Sequence, residues 1–293
     1  AESTPAIAAL AVQTLWQAGV PRAAVQLLPG QGREGGMQLV RDARVQGVLF
    51  TGSTETARVL QAALGERLNA HGQPVPLIAE TGGQNCMVVD SSALLEQVVT
   101  DAMASAFEAA GQRCSALRVL CVQGDVADRL VEMLQGAMAE IRMGAPAHLA
   151  VDMGPVIDER ARTGIEAHVS AMQQRGCPVH RIRAHKPDRL PAGTFVQPTL
   201  IEIDRIAQLE REVFGPVLHI VRYARSELPQ LLQSIHATGY ALTLGVHSRI
   251  EETIAQVIDH SHAGNVYVNR NMVGAVVGLQ PFGGEGLSGT GPK

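Results

Sequence analysis

Short apolar runs alternate along this chain with helical patterns of ten or more residues, and that alternation is the feature that most constrains its fold. A strongly amphipathic helical pattern at 54–68 lies between apolar runs at 47–50 and 75–79. Further strand candidates follow at 117–122, 219–223, 241–246 and 266–269. Strands that are separated by long helices form βαβ units, in which the strands lie parallel. We therefore predict an α/β fold built on a parallel sheet.

The composition indicates a globular protein and excludes several kinds of partner. The chain has 293 residues, of which 46% are hydrophobic and 18% are charged, and its net charge is -4. This balance is typical of folded proteins. No basic block predicts nucleic-acid binding, and no apolar run reaches the ~18 residues that a membrane span needs. The ten histidines show no metal-ligand spacing, and the four irregularly spaced cysteines favour a reducing, cytoplasmic compartment.

Two glycine-containing turns are candidates for phosphate binding. Gly30 begins the sequence GQGREG, which matches a dinucleotide motif, but no acidic residue closes the next strand as that motif requires. A plain glycine-rich turn is therefore the competing interpretation. The second turn, TGST with Gly52 and Ser53, leads from a predicted strand into a helix whose first N–H groups could hold a phosphate. Ser and Thr also cap helices that bind nothing, so both interpretations stay open.

Cys114 is the candidate nucleophile. It lies in GQRCSALRV, in a turn between a predicted helix and a predicted strand, with Arg113 beside it. A nearby cation or oriented backbone N–H groups favour the reactive thiolate. The competing interpretation is a small buried hydrophobic residue. The other three cysteines lie in or near apolar stretches and are predicted to be structural.

Glu80 is the candidate general base. It ends an apolar run and precedes Thr81-Gly82-Gly83. A carboxylate at the carboxyl end of a strand borders the crevice where open α/β sheets bind ligands. An exposed acid that merely ends a strand is the alternative, and position alone does not decide between them.

Six motifs follow one another in the order found in one enzyme family. They are PGQGREGG, FTGSTE, ETGGQN with Glu80, GQRCSA with Cys114, EVFGPV with Glu212 and Phe214, and PFGGEGLSGTG. On these motifs the chain resembles the aldehyde dehydrogenase superfamily. The resemblance implies that Cys114 is the nucleophile and that Glu80 is the general base.

A finer resemblance is to the Δ1-pyrroline-5-carboxylate (glutamate semialdehyde) dehydrogenases, including the dehydrogenase module of bifunctional proline utilization A. Ser115 and the stretch NRNMVGAVVGLQPFGG carry it. It implies that Ser115, Gly274 and Ala275 bind the α-carboxylate of the substrate and that Phe282 packs on its aliphatic part. The implied reaction is NAD-dependent oxidation of L-glutamate γ-semialdehyde to glutamate, through a cysteine thioester, in proline catabolism.

The resemblance also implies a domain organisation and a cofactor. We expect a partial Rossmann-type NAD-binding domain at 1–82, a complete α/β catalytic domain at 83–287 and the start of a C-terminal tail at 288–293. The first residues, AESTPAIAAL, have no basic segment and no initiator Met, and we interpret them as a cut end. NAD is expected rather than NADP, because an acid at the adenosine ribose repels a 2′-phosphate. The residues assigned to the cofactor are Glu2, Gly30, Gly52, Ser53, Gly82, Glu212 and Phe214.

Three alternatives remain open from the sequence. A thiol hydrolase that uses Cys114 would need a partner histidine, and none is persuasively placed. A dehydrogenase for another aldehyde would carry the same motifs. The chain could also be an inactive fragment, because the family's oxyanion-hole asparagine falls upstream of it. An upstream proline dehydrogenase domain and a homo-oligomer are possible partners of the full-length protein.

Overall fold

Helices and strands alternate through the computed structural model, which describes residues 3–181, 190–276 and 278–291. The helices are α1 (Pro5–Gln17), α2 (Met37–Arg41), α3 (Thr54–Gly65), α4 (Leu95–Phe107), α5 (Gly124–Ala139), α6 (Glu159–Gln174), α7 (Leu228–His236) and α8 (Glu251–Asp259). The strands are β1 (Val48–Thr51), β2 (Leu77–Glu80), β3 (Cys86–Val89), β4 (Val119–Gln123), β5 (Val179–Arg181), β6 (Thr199–Ile203), β7 (Val217–Tyr223), β8 (Tyr240–Ala241), β9 (Thr243–His247), β10 (Asn265–Val268) and β11 (Glu285–Gly286).

A seven-stranded sheet organises the larger part of the chain. Its strand order is β10-β9-β3-β4-β7-β6-β5. Neighbouring strands are parallel from β10 to β6, and β5 alone among the described strands of this sheet runs antiparallel. The predicted α/β fold with a mainly parallel sheet is therefore confirmed.

The central strands are buried along their whole length. Every residue of β3 and of β4 is buried, which matches the apolar sequence of β3 and of the first four residues of β4. A parallel sheet that helices cover produces this pattern, because both faces of each strand then lie in the core. Helices α4 and α5 pack on each other, α5 contacts β4 and β7, and α8 contacts β9.

The chain divides into two compact units, Ala1–Ala79 and Glu80–Lys293. The first unit has a small core of its own, formed by Val40, Leu60, Leu64 and Val75. A two-stranded sheet of β1 and β2 belongs to this part of the chain. The second unit contains the seven-stranded sheet and the main hydrophobic core. The cofactor and catalytic roles expected for 1–82 and 83–287 stay predictions.

The region around Gly30 is less regular than its sequence suggests. Residues 25–28 form no strand, and a short π-helical turn, Gly32–Gly36, precedes the five-residue helix α2. The apolar run at 25–28 predicts a strand, which is absent, and the helical pattern at 34–43 predicts a helix, which is shorter than its pattern. The run at 25–28 is too short for its apolar residues to establish a strand without a partner to pair with.

The described residues contain no helix that is long and apolar enough to cross a membrane. All four cysteines are free, and both Cys86 and Cys121 are buried in the sheet.

Candidate functional site

Three loop segments of the second unit lead into the amino ends of three adjacent parallel strands. Glu80 ends β2 and residues 81–85 lead from it to β3, while residues 114–118 precede β4 and residues 212–216 precede β7. The sheet order places these strands side by side as β3-β4-β7. Glu80, Cys114 and Glu212 therefore converge at the amino edge of the seven-stranded sheet. Open α/β sheets bind ligands in a crevice at the carboxyl ends of their strands. Glu80 has that position in β2, of which it is the last residue, but not in the seven-stranded sheet.

A single buried amide holds the turn that carries Cys114. Asn85 is 3% exposed, and its Nδ2 donates to the carbonyl oxygens of Cys114 at 2.7 Å and of Ala116 at 2.9 Å. Its Oδ1 accepts a hydrogen bond from the backbone N–H of Thr243 at 3.2 Å. Asn85 thus ties the nucleophile turn to the first residue of β9.

The backbone immediately before Cys114 is conformationally unusual. Ala109 and Ala110 have φ values of 53° and 54°, and Gly111 follows with a φ of 66°. Residues other than glycine rarely adopt this left-handed region, and each costs about 1 kcal/mol or more. Gly111 itself needs to be glycine, since a Cβ there would lie 2.2 Å from the carbonyl oxygen of Gly215. The surrounding contacts hold this turn in place.

The thiol of Cys114 is partly buried and lies near two carboxylates. Burial raises the pKa of Cys114, and the charges of Glu212 and Glu80 raise it further. Backbone N–H groups of Ser115 and of Cys114 itself act against this, because they hydrogen-bond the sulfur and lower its pKa. The sulfur therefore lies where N–H donors can also stabilise an oxyanion formed beside it.

The carboxylate of Glu80 packs against the glycine-rich C-terminal segment. A Cβ at Gly283 would lie 2.3 Å from Oε1 of Glu80, and Gly283 has a φ of 109°. Glu80 also forms an isolated antiparallel bridge with Gly289. The next residue, Thr81, donates its hydroxyl to the carbonyl oxygen of Leu287 at 2.6 Å. The motif PFGGEGLSGTG thereby fixes the position of Glu80.

The carboxylate of Glu212 lies against the backbone of Gly82, where a residue with a side chain would not fit. A Cβ at Gly82 would lie 1.9 Å from Oε2 of Glu212. On its other oxygen Glu212 forms an ion pair with Arg118, whose Nη2 lies 3.0 Å from Oε1. Both Gly82 and Glu212 were predicted to bind cofactor, and the structure places them in direct contact.

Two aromatic rings of this unit are exposed. Phe214 is 44% exposed, and its ring centroid lies 5.2 Å from the Cζ atom of Arg118. Phe282 is 37% exposed and directly precedes Gly283 at the carboxylate of Glu80. Both were predicted to contact a small molecule, and both have apolar surface to offer one.

The predicted carboxylate-binding loop has a fixed backbone. Gly274 has a φ of 89°, a conformation that favours glycine. Met272 donates its backbone N–H to the hydroxyl of Ser105 at 3.0 Å, and Arg270 donates to the carbonyl oxygen of Val273 at 3.1 Å. Within residues 3–181, 190–276 and 278–291, the N–H groups of Gly274 and Ala275 donate no hydrogen bond. They are available to an anion.

The remaining cofactor candidates lie in the first unit or outside the described residues. Ser53 caps α3, with its hydroxyl accepting from the N–H of Thr56 at 3.2 Å. Gly52 lies against the ring of Phe50, where a Cβ would be only 2.5 Å from Cζ. Gly30 lies in an irregular bend with open space around it. Glu2 falls outside the described residues. The roles of all these residues stay predictions.

Three residues of the site were missed by sequence reasoning, namely Asn85, Arg118 and Gly283. Arg118 is 1% exposed, and it lies within an apolar run of the sequence, directly before β4. A lone charge in such a run was the available signal, because a buried arginine always needs partners. Asn85 and Gly283 are inside quoted motifs, but no sequence rule ranks them above their neighbours.

Comparison with known proteins gives a consistent result over the whole chain. Residues 1–293 match the model of the aldehyde dehydrogenase family. The chain is 62% identical over 296 residues to the bifunctional protein PutA of Escherichia coli (strain K12), covering all of this chain and 22% of that protein. It is 35% identical over 300 residues to a 1-pyrroline-5-carboxylate dehydrogenase of Geobacillus kaustophilus, covering 56% of that protein.

Solved structures agree with these relatives. A crystal structure of bifunctional proline utilization A superposes with a TM-score of 0.94 at 51% identity, and all of this chain covers 29% of that one. A 1-pyrroline-5-carboxylate dehydrogenase from Thermus with bound NAD superposes with a TM-score of 0.87 at 31% identity, over 98% of this chain and 55% of that one. The chain thus spans about a fifth to a half of the length of these relatives.

Proposed function

Because the chain belongs to the aldehyde dehydrogenase family, we propose that it carries the catalytic residues of an NAD-dependent enzyme that oxidises glutamate γ-semialdehyde to glutamate. One observation carries the proposal: Asn85 holds the turn that bears Cys114, and the thiol of Cys114 lies near Glu80 and Glu212. A nucleophile that lies near both a carboxylate base and a cofactor-binding carboxylate suits oxidation through a covalent intermediate. The names of the relatives supply the substrate class.

The first chemical step is attack by the Cys114 sulfur on the aldehyde carbon. The thiol releases its proton to solvent, a C–S bond forms, and the carbonyl oxygen becomes the oxyanion of a thiohemiacetal. The backbone N–H groups of Cys114 and Ser115 lie beside the sulfur and would donate to that oxyanion. NAD, when bound, supplies the acceptor for the hydride that leaves the substrate carbon.

Glu80 acts in the second step, the hydrolysis of the resulting thioester. Its carboxylate takes one proton from a water molecule, whose oxygen attacks the acyl carbon. The C–S bond then breaks, which releases the Cys114 thiolate and the carboxylic acid product, and the acid gives its remaining proton to solvent. Gly283 and Gly289 hold the position of Glu80. A general base that is positioned in this way typically contributes about 10²- to 10⁴-fold to the rate.

The residues around Glu212 fit the nicotinamide end of a dinucleotide. Gly82 leaves room for the carboxylate of Glu212, which can accept hydrogen bonds from ribose hydroxyls. Phe214 presents an exposed ring face that a flat heterocycle can pack against. In the first unit, the capped amino end of α3 at Ser53 and Gly52 would hold the pyrophosphate. We assign Gly30 and Glu2 to the same cofactor on the motif alone.

Recognition of the α-carboxylate is assigned to Ser115, Gly274 and Ala275. The N–H groups of Gly274 and Ala275 follow one another in a fixed loop, which is how backbone anion sites are built. A hydroxyl at Ser115 adds a directed donor next to the nucleophile. Phe282 would cover the aliphatic part of the substrate. In the full-length protein we expect an upstream proline dehydrogenase domain to produce this substrate.

The test is NADH formation by the full-length protein that contains this chain, with pyrroline-5-carboxylate and NAD as substrates. We expect turnover in the wild type, and Cys114→Ala should abolish it. Cys177→Ala is the matched control, because Cys177 is a free, partly exposed thiol outside the site, and it should keep wild-type turnover. Normal turnover in Cys114→Ala would refute the proposal. A preference for aldehydes that lack an α-carboxylate would refute the assigned substrate.

A further inference from the structure

Arg118 is a buried cation that the proposed chemistry does not use. It lies at the amino end of β4 and is among the largest fully buried side chains of the chain. Burial lowers the pKa of Arg118, and the carboxylate of Glu212 acts against that shift. A cation that is taken out of water needs compensating bonds from several directions.

Arg118 obtains those bonds from two loops that are distant in sequence. Its Nη1 donates to the carbonyl oxygens of Gly111 at 2.7 Å and of Gly215 at 3.2 Å. Its Nη2 donates to the carbonyl oxygen of Arg113 at 3.1 Å and to Oε1 of Glu212 at 3.0 Å. Its Nε donates to the same Oε1 at 3.3 Å. A guanidinium has five N–H donors, and these five bonds occupy all of them.

The two loops are the nucleophile loop, residues 108–114, and the carboxylate loop, residues 212–215. The nucleophile loop contains the left-handed residues Ala109 and Ala110, a conformation that persists only when the surroundings hold it. The bonds from Arg118 to Gly111 and Arg113 enclose the segment immediately before Cys114. The carboxylate loop bears Glu212 and also Phe214, whose ring lies on the guanidinium.

We propose that Arg118 is a positioning residue that holds the nucleophile loop and the carboxylate loop in a fixed relation, so that Cys114 and Glu212 act on one bound substrate–cofactor pair. The assignment rests on the proposed function. Lysine cannot replace arginine in this role, because a point charge with three donors cannot bond both loops in the plane of a guanidinium.

The test uses hydrogen–deuterium exchange in the full-length protein, which does not depend on activity. In Arg118→Lys, segments 108–118 and 209–216 should both exchange about tenfold faster, because both lose bonds to the same side chain. The core strands β3 and β9 should keep their wild-type protection. Arg129→Lys is the matched control, since Arg129 pairs with Glu96 on the exposed surface, and it should change neither segment.

Faster exchange in β3 and β9 would show that Arg118→Lys has lost its fold. A second variant tests the inference in that case. Glu212→Gln keeps the side-chain volume and removes the charge. Exchange should then rise in the nucleophile loop, although Glu212 belongs to the other loop. Unchanged exchange at 108–118 in Glu212→Gln, or a change in only one loop in a folded Arg118→Lys, would overturn the inference.

Kinetics separate this inference from the proposed function. With a wild type that turns over and an inactive Cys114→Ala, Arg118→Lys should raise the KM for NAD about tenfold and lower kcat, because both loops move. Wild-type constants in Arg118→Lys would overturn the positioning role and leave the function standing. Absence of NADH formation in the wild type would contradict the function alone, while the exchange result would still decide the role of Arg118 in joining the loops.

Discussion

Nδ2 of Asn85 donates a hydrogen bond to the carbonyl oxygen of Cys114 at 2.7 Å, so the residue before β3 fixes the turn before β4. The same nitrogen also bonds Ala116, and Oδ1 accepts from the N–H of Thr243. The amide therefore uses both of its donor hydrogens and its acceptor at one edge of the sheet. These partners determine the orientation of the amide. If its nitrogen and oxygen were interchanged, the oxygen would face two carbonyl oxygens and could accept no hydrogen bond from them.

Asn85→Asp should therefore damage both stability and catalysis. The carboxylate keeps the shape but donates nothing, and it places negative charge against two carbonyl oxygens. We expect a loss of about 1–3 kcal/mol in the free energy of unfolding, because buried groups lose their partners. We also expect a marked fall in kcat. Urea unfolding and steady-state kinetics measure the two effects, and a variant with wild-type values in both would show that Asn85 does not hold the turn.

The reactivity of Cys114 should depend on the neighbouring carboxylates. Burial and the charges of Glu212 and Glu80 raise the pKa of the thiol above its ordinary value. In a Cys177→Ala background, alkylation of Cys114 by iodoacetamide should accelerate as pH rises. Glu212→Gln should move that profile to lower pH, because one of the negative charges is gone. A profile that stays in place would show that Glu212 does not act on the sulfur.

A methyl group at Gly283 should disable Glu80. The added Cβ would lie 2.3 Å from Oε1, and the φ of 109° is unfavourable for alanine. Gly283→Ala should therefore lower kcat by about 10²-fold or more, as expected when a general base is displaced. The control is Gly164→Ala within α6, where nothing lies within 4 Å of the added atom and where alanine stabilises a helix by about 1 kcal/mol. Equal kcat values in the two variants would contradict this packing.

Helices and strands were predictable from the sequence where a short stretch of residues determines its own structure. Ser53 caps α3 as its position before a helical pattern predicts, and the apolar runs at β4, β7 and β10 become parallel strands. The strand predicted for the apolar run at 25–28 was wrong, because this run pairs with no other strand and stays irregular. Local propensity does not reveal whether a partner strand is present.

The arrangement of the candidate site depends far more on tertiary contacts than the helices and strands do, so it was harder to predict from the sequence. The motifs identified Cys114, Glu80 and Glu212 as candidates, but their meeting at the amino edge of the sheet follows from the strand order β3-β4-β7. The partners of Arg118 lie up to 97 residues away along the chain. Such contacts leave no periodic signal in a single sequence, so neither Arg118 nor Asn85 could be assigned a role.

A buried histidine pair should make stability depend on pH. His219 donates from Nδ1 to the carbonyl oxygen of Arg118 at 3.0 Å, and its Nε2 then accepts from Nε2 of His168 at 2.9 Å. Burial, together with the nearby charge of His168, lowers the pKa of His219 to about 3. Burial, with the charges of Arg211 and Arg175, lowers the pKa of His168 to about 4.

Both pKa values lie below the unfolded value of about 6.5, so only the unfolded chain takes up these protons as the pH first falls. The stability that neutral His219 supports is present above pH ~6.5. It is lost as the pH falls toward about 3, the pKa of His219 in the folded protein. Between pH 7 and pH 4, the wild type should lose about 3 kcal/mol more than His219→Gln. Urea unfolding at the two pH values measures this difference. Equal losses would contradict a neutral, buried His219.

The central claim is that Cys114 carries the substrate as a thioester and that Glu80 releases it. The most direct measurement is peptide mass spectrometry of Glu80→Gln in the full-length protein, quenched in acid after mixing with pyrroline-5-carboxylate and NAD. We expect an acyl adduct on the peptide that contains Cys114, formed together with about one NADH per active site, because oxidation proceeds and hydrolysis stalls. Wild-type steady-state turnover with no adduct on Cys114 would contradict the central claim.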